Sequence, residues 1–221
     1  MKKIISAVGM ALLLAVAAFA ADDVSSGAFS LGISFPQIYN LNTADDAIDS
    51  EKYSAFGINF SIRGVVGLPF GLYADGNLYF PYAHKITIGN TEYSYDMGDG
   101  SLWGIEGQFG LYGVLLNTGR FLIPFGGGLH LNYGRTNVDG NPDVTQSTFS
   151  FGVGGWINAE FTLTEKVTLY GGIKLDYDFF QRLSTEHKTQ FDTVTRTERQ
   201  TEAGIASTLF VVPVLGVIFR F

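Results

Sequence analysis

Histidine is the commonest general base at neutral pH, and this chain of 221 residues contains three of them. His187 follows Ser184 and Glu186, so the residue types of a Ser/His/acid triad stand close together. Residues this near in one polar segment rarely reach triad geometry, and nothing beside them supplies an oxyanion hole. His84 lies in a second polar segment, and His130 points to the polar side of an alternating one. We therefore predict that the chain is not an enzyme.

A second candidate is a run in which oxygen ligands recur at alternate positions, namely Asp139, Asn141 and Asp143. This spacing is typical of the start of a calcium loop. However, Val144 stands where that loop needs glycine, and no acidic residue follows at its twelfth position. A turn built from Asp-Gly and Asn-Pro explains the run better. We predict no metal and no cofactor, and these three residues remain the weak metal candidates.

The third set consists of charged residues that lie within alternating apolar segments, always on the side opposite the large apolar side chains. They are Arg63, Asp75, Glu106, Glu160, Lys174, Asp176 and Asp178. A charge buried without a partner is costly, so such side chains must pair or be hydrated. We expect Lys174 or Arg63 to pair with Glu106 or Glu160. The set is interpreted either as a gate or selectivity ring or, preferably, as a structural plug.

The segments that carry these charges have the period of a β-strand. Phe56 and Ile58 share one face while Gly57 and Asn59 share the other, because successive side chains of a strand point in opposite directions. The pattern recurs along the chain. The predicted strands are 29–35, 54–63, 70–80, 102–115, 121–133, 149–163, 167–179 and 205–221.

The second face of these strands is dominated by Gly, Ser, Asn and Tyr. A soluble sandwich or lipocalin-like barrel would favour Lys, Glu and Thr on a face that meets water. Small and polar residues instead suit the inside of a narrow wall. The pattern favours an all-β fold, an eight-stranded antiparallel up-and-down transmembrane β-barrel.

Connections between the predicted strands alternate in length. Long connections, at 36–53, 81–101, 135–147 and 182–204, alternate with short ones at 64–69, 117–119 and 164–166. Outer-membrane barrels show this asymmetry, with short periplasmic turns and longer outer loops. Aromatic residues also gather near both predicted ends of the strands, as they do at the two membrane interfaces. The Thr-rich stretch 189–201 is interpreted as part of a solvated loop, with a strand-extending hairpin as the alternative.

The N-terminus has the pattern of an export signal. Lys2 and Lys3 precede an apolar run, and small residues at Ala18 and Ala20 mark a cleavage site. We predict a cleaved signal peptide at 1–20 and a barrel domain at 21–221. Removing the two lysines from 14 basic residues leaves 12 against 21 acidic residues. This excess of acidic residues argues against a nucleic-acid partner.

The end of the chain reads Val-Leu-Gly-Val-Ile-Phe-Arg-Phe, with alternating apolar residues closed by Phe219 and Phe221. Together with the predicted strands, it resembles the small eight-stranded bacterial outer-membrane barrels of the OmpA-transmembrane, OmpX and OmpW kind. That resemblance implies that the two aromatic residues form an assembly signal. Pro213 departs from the pattern, because proline removes a ladder hydrogen bond, and it suggests a bulge in the last strand.

The function expected from these features is that of an integral outer-membrane protein in a Gram-negative-type envelope, structural and surface-presenting, with a side-chain-plugged lumen. One alternative is a porin-like narrow pore or lateral conduit for small or hydrophobic solutes, and another is an adhesin that acts through its outer loops. The expected partners are outer-membrane lipid, a lipopolysaccharide-like surface, the barrel assembly machinery and periplasmic chaperones, with host or matrix ligands at the loops.

Overall fold

A computed structural model describes residues 27–41, 50–65, 70–88, 91–96, 100–138, 143–191 and 194–220. The regular elements in these residues are ten antiparallel strands. Their bounds are β1 Gly27–Ser34, β2 Gln37–Asn40, β3 Ser50–Val65, β4 Gly71–Ile88, β5 Thr91–Asp96, β6 Gly100–Asn117, β7 Phe121–Val138, β8 Asp143–Thr162, β9 Val167–Phe191 and β10 Val194–Arg220. Within the same residues, no helix is long and apolar enough to cross a membrane.

The ten strands form a closed ring with eight positions. β1 and β2 both pair with β3 on one side and β10 on the other, so together they occupy one position. β5 and β6 likewise share a position, because both pair with different parts of β4. The pairing of β1 with β10 closes the ring and leaves no open sheet edge at that seam. The predicted eight-stranded up-and-down barrel is confirmed.

The period-two pattern separates two surfaces. On β3, Phe56 and Ile58 are 43% and 44% exposed, whereas Gly57 and Asn59, which alternate with them, are buried. Large apolar side chains are exposed in the same way around the ring, while buried positions include glutamate, aspartate, lysine and histidine. A water-soluble protein has the opposite distribution, because exposed apolar area costs free energy in water. An apolar outside and a polar inside are what a bilayer requires of a barrel.

The strands extend further at one end than the sequence pattern predicts. A strand needs about 9–11 residues to cross a bilayer, but β9 has 25 residues and β10 has 27. Their ladder continues past the apolar band, where Arg199 pairs with Glu186 and Thr197 with Lys188. The preferred interpretation of this stretch as a solvated loop is therefore wrong, and its alternative, a strand-extending hairpin, is what forms. Alternation of polar residues such as threonine favours a strand even where neither face is apolar.

The predicted bulge at Pro213 is also wrong. Pro213 pairs in register with Ile173, and its carbonyl accepts a hydrogen bond from the Phe35 amide at 3.0 Å. The register shift of β10 lies instead between Ile205 and Thr208. Proline is tolerated here because Phe35 lies at the break between β1 and β2, where the ladder is already interrupted.

Candidate functional site

The inner face of the barrel carries three clusters of charged side chains. Because the wall is closed, side chains from different strands meet inside the lumen. The terminal-end cluster consists of Arg63, Glu160 and Arg220. It lies at the end of the barrel where β1 begins and β10 ends. There Arg63 of β3 places Nη1 2.7 Å from Glu160 Oε1 of β8, and Arg220 Nη2 of β10 lies 3.5 Å from Glu160 Oε2. Glu160 is thus held between two arginines from different strands, and the cluster ties three parts of the ring together.

Aromatic rings complete this end of the lumen. The Arg63 guanidinium lies 5.7 Å from the Trp156 ring centre and 5.8 Å from that of Tyr112. Tyr73 meets Trp156 edge to face at 5.3 Å. A guanidinium over aromatic faces gains electrostatic attraction that strengthens when water is excluded. The rings therefore occupy the space that a wider barrel would leave to water.

The central cluster lies one step further along the lumen. Lys174 of β9 donates hydrogen bonds to Asp75 of β4 and, at 3.1 Å, to Glu106 Oε1 of β6. Asn59 Nδ2 donates to Asp75 Oδ2 at 2.9 Å, and Asn77 Nδ2 donates to Glu106 Oε1 at 3.2 Å. One lysine thus bridges two carboxylates across the ring, and the amides supply further donors.

The histidine cluster, made of Glu106, His130, Asp176 and Asp178, follows on the side of the strand extensions. By strand extensions we mean the parts of the strands that continue past the apolar band, such as 50–54, 82–88, 91–96, 181–191 and 194–204. His130 Nδ1 lies 2.7 Å from Asp178 Oδ1, while its Nε2 lies 3.7 Å from Glu106 Oε2 and 3.9 Å from Asp176 Oδ2. Gln108 Nε2 donates to Asp176 Oδ1 at 2.8 Å. Glu106 belongs to both the central and the histidine cluster, so these two clusters form one connected row.

Little open space remains between these groups. A cavity of about 20 Å³ lies between the terminal-end and central clusters, bordered by Arg63, Asp75 and Lys174 among others. A cavity needs about 10–15 Å³ to hold one water molecule. Side chains rather than solvent therefore fill this part of the lumen.

All seven charges singled out in the sequence lie on the inner face, and the expected combinations Arg63–Glu160 and Lys174–Glu106 are both present. His130 was expected to face inward but was not predicted to join this set. The sequence did contain a signal, namely the position of His130 in the alternation. It puts His130 on the inner face, as it does Gln108, the residue opposite it on the β6–β7 ladder. The three acidic neighbours of His130 come from β6 and β9, and no sequence spacing indicates that proximity.

The Ser/Glu/His grouping on β9 is not brought together, and the side chains of the weak metal candidates are not described. On β9, Ser184 and Glu186 share one face of the strand and His187 lies on the other, so these three cannot form a triad among themselves. Asp139 and Asn141 lie outside the described residues, and of Asp143 only the backbone in β8 is described.

Phe219, one of the two residues of the predicted assembly signal, lies near the end of β10. Phe219 faces outward on β10, opposite Phe29 of β1 and Val167 of β9. Phe221 lies outside the described residues. The outward direction of Phe219 leaves its ring accessible from the lipid side of the last strand.

The strand extensions carry a smaller group of titratable residues, above the rim marked by Phe56 and Phe80. His84 of β4 stacks on Tyr53 of β3 with ring centres 4.3 Å apart, and its Nε2 lies 3.9 Å from Glu51 Oε1. Burial raises the pKa of the Tyr53 phenol, and Glu51 adds to this shift. Burial lowers the pKa of His84, although Glu51 acts in the opposite direction. The neutral imidazole is the form that this stack favours.

Comparisons with known proteins agree with this architecture. A family model described as the outer membrane protein β-barrel domain matches residues 6–200. No curated protein matches the chain by sequence. Neisserial surface protein A (NspA) is 12% identical, with a TM-score of 0.56 over 89% of this chain and 99% of that one.

Two further solved structures are similar. A major outer membrane protein from Thermus thermophilus is 17% identical, with a TM-score of 0.56 over 86% of this chain and 99% of that one. The outer membrane protein OprG from Pseudomonas aeruginosa is 11% identical, with a TM-score of 0.51 over 89% of this chain and 95% of that one. At such identities the likeness establishes the fold alone.

Proposed function

The chain belongs to the outer membrane protein β-barrel domain family, and on that premise we propose that it is a closed, non-enzymatic structural barrel of the bacterial outer membrane. In this role its long strands present a polar surface beyond the bilayer. The observation that carries the proposal is two charge groups inside the lumen, namely the Arg63–Glu160 pair at one level and the connected row from Asp75 to Asp178 at the next. An eight-stranded barrel is just wide enough for side chains to fill it.

Because of these charge groups, we expect the barrel not to conduct ions. An ion that entered would have to separate Lys174 from Glu106, whose side chains are 5% and 0% exposed, and then Arg63 from Glu160. Breaking a buried pair leaves an uncompensated charge, which costs about 3–5 kcal/mol. Two such barriers in series oppose steady permeation.

Planar-bilayer recording tests this proposal. The full chain is reconstituted into lipid vesicles, which are then fused with the planar bilayer, and we expect no unit conductance. Heat-modifiable migration and protease protection of these vesicles verify that the protein is inserted. The matched control removes the exposed ion pair Lys85–Glu92, which lies in the strand extensions, and should also be silent. A reproducible unit conductance that changes in Glu106→Gln or Lys174→Met would overturn the closed-lumen proposal in favour of a narrow pore.

A second candidate function, adhesion, is favoured by the hairpin that continues β9 and β10. Its described side chains are polar and exposed from Thr197 to Thr201, on a frame held by the ladder with Ser184 to Lys188. A rigid polar hairpin above the membrane suits contact with host or matrix ligands. Deleting 189–201 should leave heat-modifiable migration intact. If this deletion leaves attachment of expressing cells to matrix proteins unchanged, the hairpin is not the adhesive surface.

The proposed role also implies partners within the envelope. Outer-membrane lipid and a lipopolysaccharide-like surface would cover the apolar band and its rim, and periplasmic chaperones would deliver the chain to the barrel assembly machinery. Phe219 and Phe221 are the proposed assembly signal. Substituting both by alanine should lower the amount of barrel in outer membranes, whereas alanine at the outward Phe149 in mid-chain should not.

Export by a cleaved signal peptide completes the proposal. The pattern that ends at Ala20 predicts a mature chain that begins at Ala21. Mass spectrometry of the protein from outer membranes measures this directly. A mature mass that retains residues 1–20 would contradict cleavage and leave the barrel proposal untouched.

A further inference from the structure

Three ligand-type atoms converge in the histidine cluster without any hydrogen bond of their own. They are Glu106 Oε2, His130 Nε2 and Asp176 Oδ2, and none has a hydrogen-bond partner among the residues that the structure describes. The three residues are 1%, 0% and 0% exposed. Ligand atoms of the three lie within 4.8 Å of one another. Buried polar atoms normally have a hydrogen-bond partner, so three such atoms that face one another call for an explanation.

Each of these side chains is held by its other polar atom. His130 Nδ1 pairs with Asp178 at 2.7 Å, Glu106 Oε1 accepts from Lys174 at 3.1 Å, and Asp176 Oδ1 accepts from Gln108 at 2.8 Å. A carboxylate on Nδ1 keeps the proton there and leaves the Nε2 lone pair free to bind a cation. Metal-binding histidines commonly have this second carboxylate partner. The orientation of all three is therefore set before any ion binds.

The charge of the lumen favours a cation. Five carboxylates face the lumen, against Arg63, Lys174 and the partly exposed Arg220, and all three basic side chains are committed to ion pairs with Asp75, Glu106 or Glu160. Asp176 makes no ion pair with any of these three in the described chain. A divalent ion beside Asp176 and Glu106 would offset the excess negative charge, which is costly to leave in a closed interior.

We propose that Glu106, His130 and Asp176 form a buried binding site for a divalent first-row transition ion of the zinc type. One imidazole nitrogen and two carboxylate oxygens are common zinc ligands, whereas calcium and magnesium select oxygen alone. Tetrahedral bonds of about 2.0–2.2 Å separate ligand atoms by roughly 3.3–3.6 Å. The present separations of 3.7 and 3.9 Å from Nε2 need to shorten by only a few tenths of an ångström.

One further buried acceptor belongs to a side chain that touches the cluster. Gln108 Oε1 is buried and makes no hydrogen bond within the described residues, while its amide nitrogen holds Asp176. Either this oxygen or a water molecule would complete the coordination. The three proposed ligands lie on β6, β7 and β9, whose ladders are continuous at these positions, so the wall itself fixes their spacing.

The competing occupant is a proton on His130 Nε2, which would give an imidazolium between two carboxylates. The separations of 3.7 and 3.9 Å exceed hydrogen-bond length, so the present geometry does not show such bonds. The two occupants differ in a measurable way. Only a metal site binds zinc with a defined stoichiometry that depends on Nε2.

The experiment uses the full chain in detergent, stripped with a chelator, then loaded with Zn²⁺ both after folding and during refolding. Metal bound after dialysis is counted by mass spectrometry, and Co²⁺ loading is followed by its visible absorption. We expect one Zn²⁺ per folded chain and tetrahedral Co²⁺ bands. His130→Gln should abolish both, and Asp178→Asn should weaken binding by about 10–100-fold. His84→Gln and His187→Gln are matched controls that should bind as the parent does.

Folding of each variant is checked by heat-modifiable migration. If His130→Gln fails to fold, Asp176→Asn and Glu106→Gln, which keep the shape of the side chain, take its place. The proposal is overturned if the folded parent retains no zinc under either loading procedure. It is also overturned if the bound zinc persists unchanged in the folded ligand variants, since the ion then lies elsewhere. Neither result depends on whether the barrel conducts.

Discussion

Lys174 and Lys85 each pair with a glutamate, but in regions that differ in their access to water. The Lys174–Glu106 pair lies in the lumen, where the side chains are 5% and 0% exposed, and Lys174 also holds Asp75. The Lys85–Glu92 pair lies on the strand extensions, with 40% and 55% exposure. The same chemistry therefore has different consequences, because removing one partner in the lumen leaves a charge that water cannot reach.

The largest effect is expected for Lys174→Met. This change leaves Asp75 and Glu106 without their shared cation, and we expect a loss near the top of the about 3–5 kcal/mol range in the free energy of unfolding. Urea unfolding in detergent, followed by tryptophan fluorescence, measures it. The triple change to Lys174→Met, Asp75→Asn and Glu106→Gln should recover most of the loss. If the triple variant is no more stable than the single one, uncompensated charge is not the cause.

A somewhat smaller loss, about 3 kcal/mol, is expected for Arg63→Ala. Glu160 would retain Arg220, although at 3.5 Å and on a partly exposed side chain, and Trp156 would lose its cationic neighbour. The same unfolding measurement applies. Adding Glu160→Gln should restore part of the stability, whereas a double variant that is weaker than both single ones would show that the pair acts mainly through packing.

Lys85→Ala on the extensions should change the free energy of unfolding by about 0.5 kcal/mol or less. Exposed ion pairs are screened by water and salt, and they give up side-chain entropy to form. The comparison with Lys174→Met is made in one denaturant series. Equal losses in the two variants would remove the contrast between lumen and extensions.

The smallest effect is a pH dependence in the upper part of the β3–β4 hairpin. Burial lowers the folded-state pKa of His84 below the unfolded value of about 6.5. The contribution of the Tyr53–His84 stack is therefore present above pH ~6.5 and is lost as the pH falls through the folded-state pKa. Amide hydrogen exchange at 83–88, corrected for its intrinsic pH dependence, should show local opening at low pH. His84→Phe keeps a ring without a titration and should abolish this dependence.

Local alternation was enough to predict most of the wall. Two pairs of residues illustrate this. Phe56 and Leu175 belong to the apolar face that contacts lipid, whereas Asn59 and Asp176 belong to the polar face that lines the lumen. The reach of β9 and β10 was underestimated, because past the apolar band both faces are polar and the pattern loses its contrast. There the ladder itself, with Arg199 opposite Glu186, extends the strands. The register shift between Ile205 and Thr208 likewise had no local signal.

The sequence by itself determined that each of these charges faces inward, because alternate residues of a strand point to opposite faces whatever strands lie beside it. It did not determine which charges meet. Glu106 is a diagonal neighbour of His130 on the β6–β7 ladder, but Asp176 lies two strands beyond His130, so only the curvature of the wall brings Asp176 to the other two. Contacts across a lumen depend on strand number, stagger and curvature. The histidine cluster, with its three unpartnered atoms, is therefore a product of the tertiary structure.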